Sequence, residues 1–370
     1  MNKTVRFLLV LIALLLLFGW VMGGDIKHIR GKQIILLDEL QASLSAKIQK
    51  AGDQFIRDGK DKYFLTAYSF SASSPARISG NYIDSGAESV SRIYRDGDRL
   101  VIRHFGSGFH SDGNRGQEII DRDIMFLFKV KGRGVDLVDV SLLNPDFTYR
   151  LADMTMFWLG RINTRESMDF LVESFKRESD IRIRKRILPA IGLHNHADAM
   201  KFLYTVFQNT ENPLQLRKNA VFWMGASRLH SGLVYLKKIA ARKSEYAIRK
   251  QLAFAIYLNG STEADQMLIG LARNDRDISI RKKAVFWLGQ RATKECIRAL
   301  KEVIENADEI AVKSSAVFAI SQLPRDKAVP MLIDIARTHR SPKIRKKAIF
   351  WLGDIGDERA IDFFEDILLK

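Results

Sequence analysis

Two columns of basic residues recur along the second half of the chain, at a spacing suited to binding. One reads Arg184, Arg217, Arg249, Arg281, Lys313 and Arg345; the position after it reads Lys185, Lys218, Lys250, Lys282, Ser314 and Lys346. In the first column an acid stands four residues earlier in several units: Asp180, Glu245, Asp277 and Glu309. These carboxylates can accept guanidinium hydrogen bonds and stitch adjacent units together. The second column points away from the core on a helical wheel and offers an electropositive track for an acidic partner. Lys185, Lys218, Lys250, Lys282 and Lys346 are therefore the candidate partner-binding residues.

Other reactive residues carry less. His194-Asn195-His196-Ala197-Asp198 places two imidazoles near a carboxylate, and His230 sits in the corresponding loop of the next unit. Such groups can hold a transition metal, but the spacing fits no known metal motif, so no metal or cofactor is assigned. His104 and His110 flank a Gly-rich loop, Gly106 to Gly116, the one place where an enzymatic function would reside. That loop lacks the Lys-Ser/Thr of a phosphate cradle and does not run from a strand into a helix. No Ser-His-Asp or Cys-His set can be argued from spacing. Cys296 is the only cysteine, so no intrachain disulfide forms; it reads as buried packing. The chain reads as a binding protein, not an enzyme.

The elements that position the basic columns repeat. A Phe column reads Phe157, Pro189, Phe222, Phe254, Phe286, Phe318 and Phe350, with steps of 32, 33, 32, 32, 32 and 32. A fixed period in this range marks stacked supersecondary units. Each unit holds a helix with the Phe column (B) and a helix with a Leu column (A), joined at Gly, Asn, Asp or Pro. The position after the Phe column alternates as Trp158, Ala190, Trp223, Ala255, Trp287, Ala319 and Trp351. A large ring beside a methyl fills space that two rings overfill. Trp158, Trp223, Trp287 and Trp351, with Phe222, Phe254, Phe286, Phe318 and Phe350, are thus expected in the repeat core.

These helix pairs, with a hydrophobic-Arg-x-x-Ala start to helix B, resemble short bacterial HEAT repeats of the bilin-lyase-like type over residues 150–370. The resemblance implies an α-solenoid of about seven helix pairs and a binding scaffold. The di-iron hydroxylases built on such repeats are not matched, because no His-Glu dipeptide occurs in the chain.

The chain has 370 residues and a net charge of +16, and residues 151–370 hold 38 Lys and Arg against 26 Asp and Glu. Ahead of the repeats, Lys3 and Arg6 precede an uncharged run from Phe7 to Gly24, at the border between a signal-peptide core and a spanning helix. Residues 1–24 read as a signal peptide or membrane anchor, placing the protein in the cell envelope. Residues 25–61 read as a helical stalk, with Leu36, Leu40, Leu44 and Ile48 at fourfold spacing. Residues 62–145 read as a small antiparallel β domain of five or six strands, with hairpins at Asp96-Gly97-Asp98 and Lys131 to Gly134. The solenoid is expected to fill 146–370. At its end, Asp362, Glu365, Asp366 and Lys370 supply a polar cap, or the end is a partner surface.

The reading is an exported or membrane-anchored scaffold that binds a protein partner through the basic concave face of its solenoid. The alternative is nucleic acid or another polyanion along the Lys/Arg track.

Overall fold

The computed structural model describes residues 29–31, 33–37, 42–59, 61–73, 90–105, 119–143, 148–242 and 244–369. The apolar segment 1–24, the Gly-rich loop with His110, and the His104 side chain lie outside them. The chain divides into two compact units, Met1–Phe202 and Leu203–Lys370.

Among the described residues the first unit opens with nine strands: β1 (Ile29–Arg30), β2 (Ile34–Leu36), β3 (Tyr63–Ser73), β4 (Val90–Asp96), β5 (Arg99–Phe105), β6 (Ile119–Lys131), β7 (Gly134–Leu143), β8 (Thr148–Leu151) and β9 (Met156–Arg161). They form two sheets, ordered β1-β8-β4-β5 and β2-β9-β3-β6-β7. Both expected hairpins are present, β4 with β5 and β6 with β7. Gly97 and Gly132 supply the positive φ that such tight turns favour. The sheets are mixed, not antiparallel: β8 runs parallel to β1 and β4, and β9 runs parallel to β2 and β3.

The expected stalk is corrected. Residues 34–36 pair with β9 as a strand, and only Leu44–Asp58 is helical (α1). Ser43 caps its start by accepting from the Ala46 N–H, and Gly59 in the left-handed region ends it. Leu44, Ile48, Ala51 and Phe55 form one buried stripe, which packs on β3 and β9. The helix is part of the fold's core.

A second correction concerns where the repeats begin. Phe157-Trp158-Leu159-Gly160 matches the Phe286–Gly289 tetrapeptide residue for residue, yet it lies in β9, buried on both faces. Trp158 is core, but core of a sheet. The residues before it explain the difference. Leu151-Ala152-Asp153-Met154-Thr155 lacks the basic residue that opens each B helix and the Ala that follows it in four of the six, and β2 and β3 offer backbone partners on both sides. Such tertiary pairing overrides local preference. The helical array therefore opens at Thr164, with α2 (Thr164–Arg177) and α3 (Ile181–Leu193).

This first pair packs on the sheets. Phe170 meets Phe126 edge-on at 5.6 Å, His194 stacks on Phe70 at 4.4 Å, and Arg186 pairs with buried Asp139 at 3.0 Å. Asp139 also accepts the Leu100 N–H at 2.7 Å.

The helix α4 (Ala197–Gln208) crosses the boundary between the units. The second unit then alternates B and A helices: α5 (Leu214–Ala226), α6 (His230–Ala240), α7 (Tyr246–Asn259), α8 (Thr262–Asn274), α9 (Ile278–Arg291), α10 (Lys294–Asn306), α11 (Ile310–Ser321), α12 (Arg325–Thr338), α13 (Pro342–Ile355) and α14 (Glu358–Leu368). Its B helices α5, α7, α9, α11 and α13 lie side by side in that order.

The B-helix core is aliphatic. On α9, Ile280, Ala284, Val285 and Leu288 are fully buried. Only part of the aromatic set joins them, which corrects the expected repeat core. Trp223 is buried, whereas Trp287, Trp351, Phe222, Phe254 and Phe318 are half-buried. Phe286 is 36% and Phe350 60% exposed. Geometry gives the reason: each Phe follows its lysine by four residues, and residues so spaced share a helix face.

The alternation after the Phe column has a backbone cause. A Cβ on Gly225 would fall 2.0 Å from the Ala255 carbonyl oxygen, and one on Gly289 would fall 2.9 Å from the Ala319 Cβ. Ala255 and Ala319 stand where the preceding B helix brings its glycine closest. In the interface between α7 and α9, Trp287 instead stacks on Phe254 at 4.8 Å and on Tyr257 at 4.4 Å. Gly225→Ala is accordingly expected to destabilise the protein by about 1–3 kcal/mol through overpacking. Gly353→Ala, whose Cβ meets nothing within 4 Å, should be neutral or stabilise by up to about 1 kcal/mol through helix propensity. Thermal melts of the two variants check this; equal losses would refute the close-approach argument.

Candidate functional site

Arginine sets the register of the B helices. First-column residues reach back to the end of the preceding A segment, forward to the next unit, or both. Backward, Arg217 donates to the Phe207 carbonyl at 3.1 Å, Arg249 to Ser244 at 3.0 Å, Lys313 to Glu305 at 2.7 Å and Arg345 to His339 at 2.9 Å. Cations are favoured at such carbonyl-rich helix ends. Forward, Arg217 pairs with Glu245 at 3.0 Å, Arg249 with Asp277 at 3.5 Å, and Arg281 with Glu309. Glu245, Asp277 and Glu309, expected to serve the arginine of their own unit, thus serve the arginine of the unit before, while Asp180 pairs with Arg182. Arg281 beside Glu309 holds that carboxyl below its usual range.

With the first column so occupied, the second is left facing outward. Lys250, Lys282 and Lys346 are exposed and Lys218 is half-buried. Each lies one turn from an aromatic ring: Lys218 from Phe222, Lys250 from Phe254, Lys282 from Phe286, Lys346 from Phe350. On α11 the corresponding pair is Ser314 and Phe318. The rings form a partly exposed array. Phe222 and Phe254 lie 5.8 Å apart, Phe286 meets Trp287 edge-on at 4.9 Å, and Phe318 packs on Trp351 at 5.0 Å. Lys283 and Lys347 were not singled out by sequence, yet they flank the same rings; Lys347 sits 5.8 Å over Phe350. A second lysine directly after the column is the signal that marks them. Lys185 lies on α3, in the other unit.

The A helices contrast with this face. Three of their bases reach acids on the next A helix: Lys237 to Glu263, Arg273 to Glu302, and Arg337 to Asp366 at 2.8 Å. Lys218, Lys250, Lys282, Lys283, Lys346 and Lys347 make no such ion pair among the described residues. The B face therefore combines uncompensated positive charge with aromatic surface. Such a face can attract a carboxylate-rich chain and anchor its apolar side chains.

Residues 297–370 match the family model for HEAT repeats. Over that stretch the helix pairs are similar to HEAT repeats. No curated protein sequence matches the chain. Among solved structures, the chain is similar to the complex of CpcE and CpcF of phycocyanin lyase from Nostoc, at 16% identity and a TM-score of 0.33, covering 53% of this chain and 79% of that one. Human deoxyhypusine hydroxylase gives 16% identity and a TM-score of 0.24, over 54% of this chain and 77% of that one. Lipovitellin gives 10% identity and a TM-score of 0.36, over 62% of this chain; the match spans 36% of the lipovitellin chain.

The histidine loop ahead of α4 gathers no ligand group among the described residues. His194 is fully buried; its Nδ1 bonds the Ala190 carbonyl at 2.7 Å and its Nε2 the Ser167 Oγ at 2.9 Å. His196 turns instead to the Asp198 N–H at 3.2 Å. Among the described residues no group of three His, Cys, Asp or Glu is placed to hold a metal ion. Sequence reasoning missed the pairing of Ser167 with His194, which are 27 residues apart. It has the elements of a nucleophile and base, but Ser167 continues to Tyr68 OH at 2.9 Å, and none of the three is exposed. The chain of bonds ties strand to helix. Cys296 is likewise buried, and burial pushes its thiol up.

Burial pushes the His194 imidazole down to about 4 from 6.5. Between those values the unfolded chain takes up a proton that the folded chain refuses, so stability falls as pH drops through this window. The loss is on the order of 3 kcal/mol once complete. Urea midpoints measured from pH 7 to pH 4 should show this slope, and His194→Gln should remove it; an unchanged slope in the variant would mean that other groups carry it.

Proposed function

We propose that the protein is a non-catalytic HEAT-repeat scaffold that binds an acidic protein partner through the lysine–aromatic face of α5, α7, α9, α11 and α13. One observation carries this reading. Three bases on the A helices, Lys237, Arg273 and Arg337, find acids on neighbouring repeats, while the lysines of the B face do not. Long-range attraction then speeds encounter, and the rings beside each lysine supply the anchors that hold. A second reading has a specific observation in its favour. Aromatic rings beside lysines also suit single-stranded nucleic acid, whose bases stack on such rings while phosphates meet the cations.

One experiment separates them. The full chain is titrated with a labelled Glu- and Tyr-rich peptide and with a single-stranded oligonucleotide of equal charge. The expected result is saturable, salt-sensitive binding of the peptide, weakened at least tenfold in the Lys250→Glu, Lys282→Glu, Lys346→Glu triple variant. Tighter binding of the oligonucleotide would favour the second reading. Binding of neither at low salt would sink both.

The scaffold is further proposed to act in the cell envelope, exported or anchored by residues 1–24. The support is the charged start and uncharged run of that segment in sequence. No helix among the described residues is long and apolar enough to cross a membrane. A reporter active only outside the cytoplasm, fused at Lys370, should work, and deletion of residues 1–24 should silence it. Activity of an inside-only reporter at the same position would overturn the export proposal.

A further inference from the structure

The lysine–aromatic face has a repeat distance, and a partner chain can match it. The B helices α5, α7, α9, α11 and α13 lie side by side, so Lys218, Lys250, Lys282 and Lys346 stand in one row at corresponding positions. Packed helices lie about 8–10 Å apart, according to the side chains between them. The interfaces here alternate between those limits. Gly225 against Ala255 and Gly289 against Ala319 bring backbones together. Trp287 against Phe254 and Tyr257, and Trp351 against Phe318, place rings between the helices. Two successive steps therefore come to about 18 Å, and the four steps from α5 to α13 to about 36 Å.

Three backbone conformations could run along that row. An α-helix returns to the same face every seven residues, about 10.5 Å on, and has drifted by about 6 Å after four steps. A β-strand advances about 10 Å in three residues but then presents its opposite face. A polyproline II helix has three residues per turn, so every third side chain shares one face at intervals of about 9.3 Å. Over four steps it stays within about 1 Å of the row. The rings favour the same conformation, because polyproline II segments dock on aromatic-lined grooves. Beside Lys250 and Lys282, the half-buried rings of Phe254, Tyr257 and Trp287 form one stacked group, and Phe286 meets Trp287 edge-on at 4.9 Å. One helix breaks the row of charge. On α11, Ser314 stands where the others carry lysine. Lys313 is committed to the Glu305 carbonyl at 2.7 Å, and Ser315 donates back to the Ala311 carbonyl at 3.0 Å.

We infer that the occupant of this face is an acidic, proline-rich segment of a partner protein, bound as a polyproline II helix with an acid at every third residue. This occupant presupposes the acidic-partner reading of the same face. Five successive acids meet Lys218, Lys250, Lys282, Ser314 and Lys346, and the acid over Ser314 has no lysine to meet. The prolines between them lie against the rings. They also hold the free segment extended, which lowers the ordering cost of binding.

The test titrates the full chain with a labelled peptide of five Glu-Pro-Pro repeats, verified as polyproline II by circular dichroism. Three peptides serve as comparison: one of the same composition with unevenly spaced acids, one of five Glu-Gly-Gly repeats, and the Glu- and Tyr-rich peptide. The expected result is saturable binding of the Glu-Pro-Pro peptide, at least fivefold tighter than that of the uneven or glycine peptide. Replacing its second or its fourth Glu by Gln, according to chain direction, should cost less than twofold, because that acid lies over Ser314; the other replacement should cost at least threefold. In the Ser314→Lys variant both should be costly. The peptide substitutions are read on the unaltered protein, so they hold whatever the variant does to the fold. Equal affinity for even and uneven acids or for proline and glycine peptides, or equal cost at the second and fourth acids, overturns the inference and leaves the acidic-partner reading standing. Binding of the Glu- and Tyr-rich peptide alone does the same, and binding of no peptide overturns both.

Discussion

The second unit depends on one side chain used in two directions. Arg217 and Arg249, at the starts of α5 and α7, each satisfy a carbonyl behind and a carboxylate ahead, and only one spacing of helices allows both. Arg249 shows the arrangement, donating to the Ser244 carbonyl while lying within reach of Asp275 and Asp277. Ion pairs at exposed sites contribute little, about 0–1 kcal/mol. The aliphatic core supplies most of the stability. What the arginines add is register: a helix that slides by one turn loses both partners at once. Because the arginine is committed inward, the lysine beside it is free to face solvent. The lysine–aromatic face follows from this structural clamp.

Much of this order was legible in sequence because a stacked fold writes its geometry once per unit. The period of 32 located the helices, and the arginine and acid columns announced contacts between repeats. The limits were physical. Periodicity cannot tell a helix from a strand over four residues, and Phe157 to Gly160 took the sheet because β2 and β3 were there to receive it. Parallel pairing of β8 and β9 joins segments distant in sequence and leaves no local trace. The site was half legible. The lysines stood out, but the rings beside them looked like core. On an ideal wheel Trp287 sits near Leu288; in the structure, the approach of glycine to alanine on alternate interfaces shifts where rings can go.

The buried link from Tyr68 through Ser167 to His194 makes a related point. A serine bonded to an imidazole is a catalytic arrangement only when substrate can reach it and the imidazole can take a proton. Here Nδ1 is held by a backbone carbonyl, and burial disfavours the charged ring. The same atoms that would make a nucleophile instead fix a strand against two helices. Here these groups are spent on placement.

The alternating interfaces have a mechanical consequence. Where glycine meets alanine, backbone touches backbone, and neighbouring helices have almost no freedom to tilt. Where Trp287 stacks on Phe254 and Tyr257, flat rings separate the helices and can slip in their own planes. The repeats are therefore joined by stiff and compliant hinges in turn. Bending under load would concentrate at the aromatic joints, so the stack flexes in blocks of two repeats, and a bound chain would feel a segmented rod instead of a uniform spring.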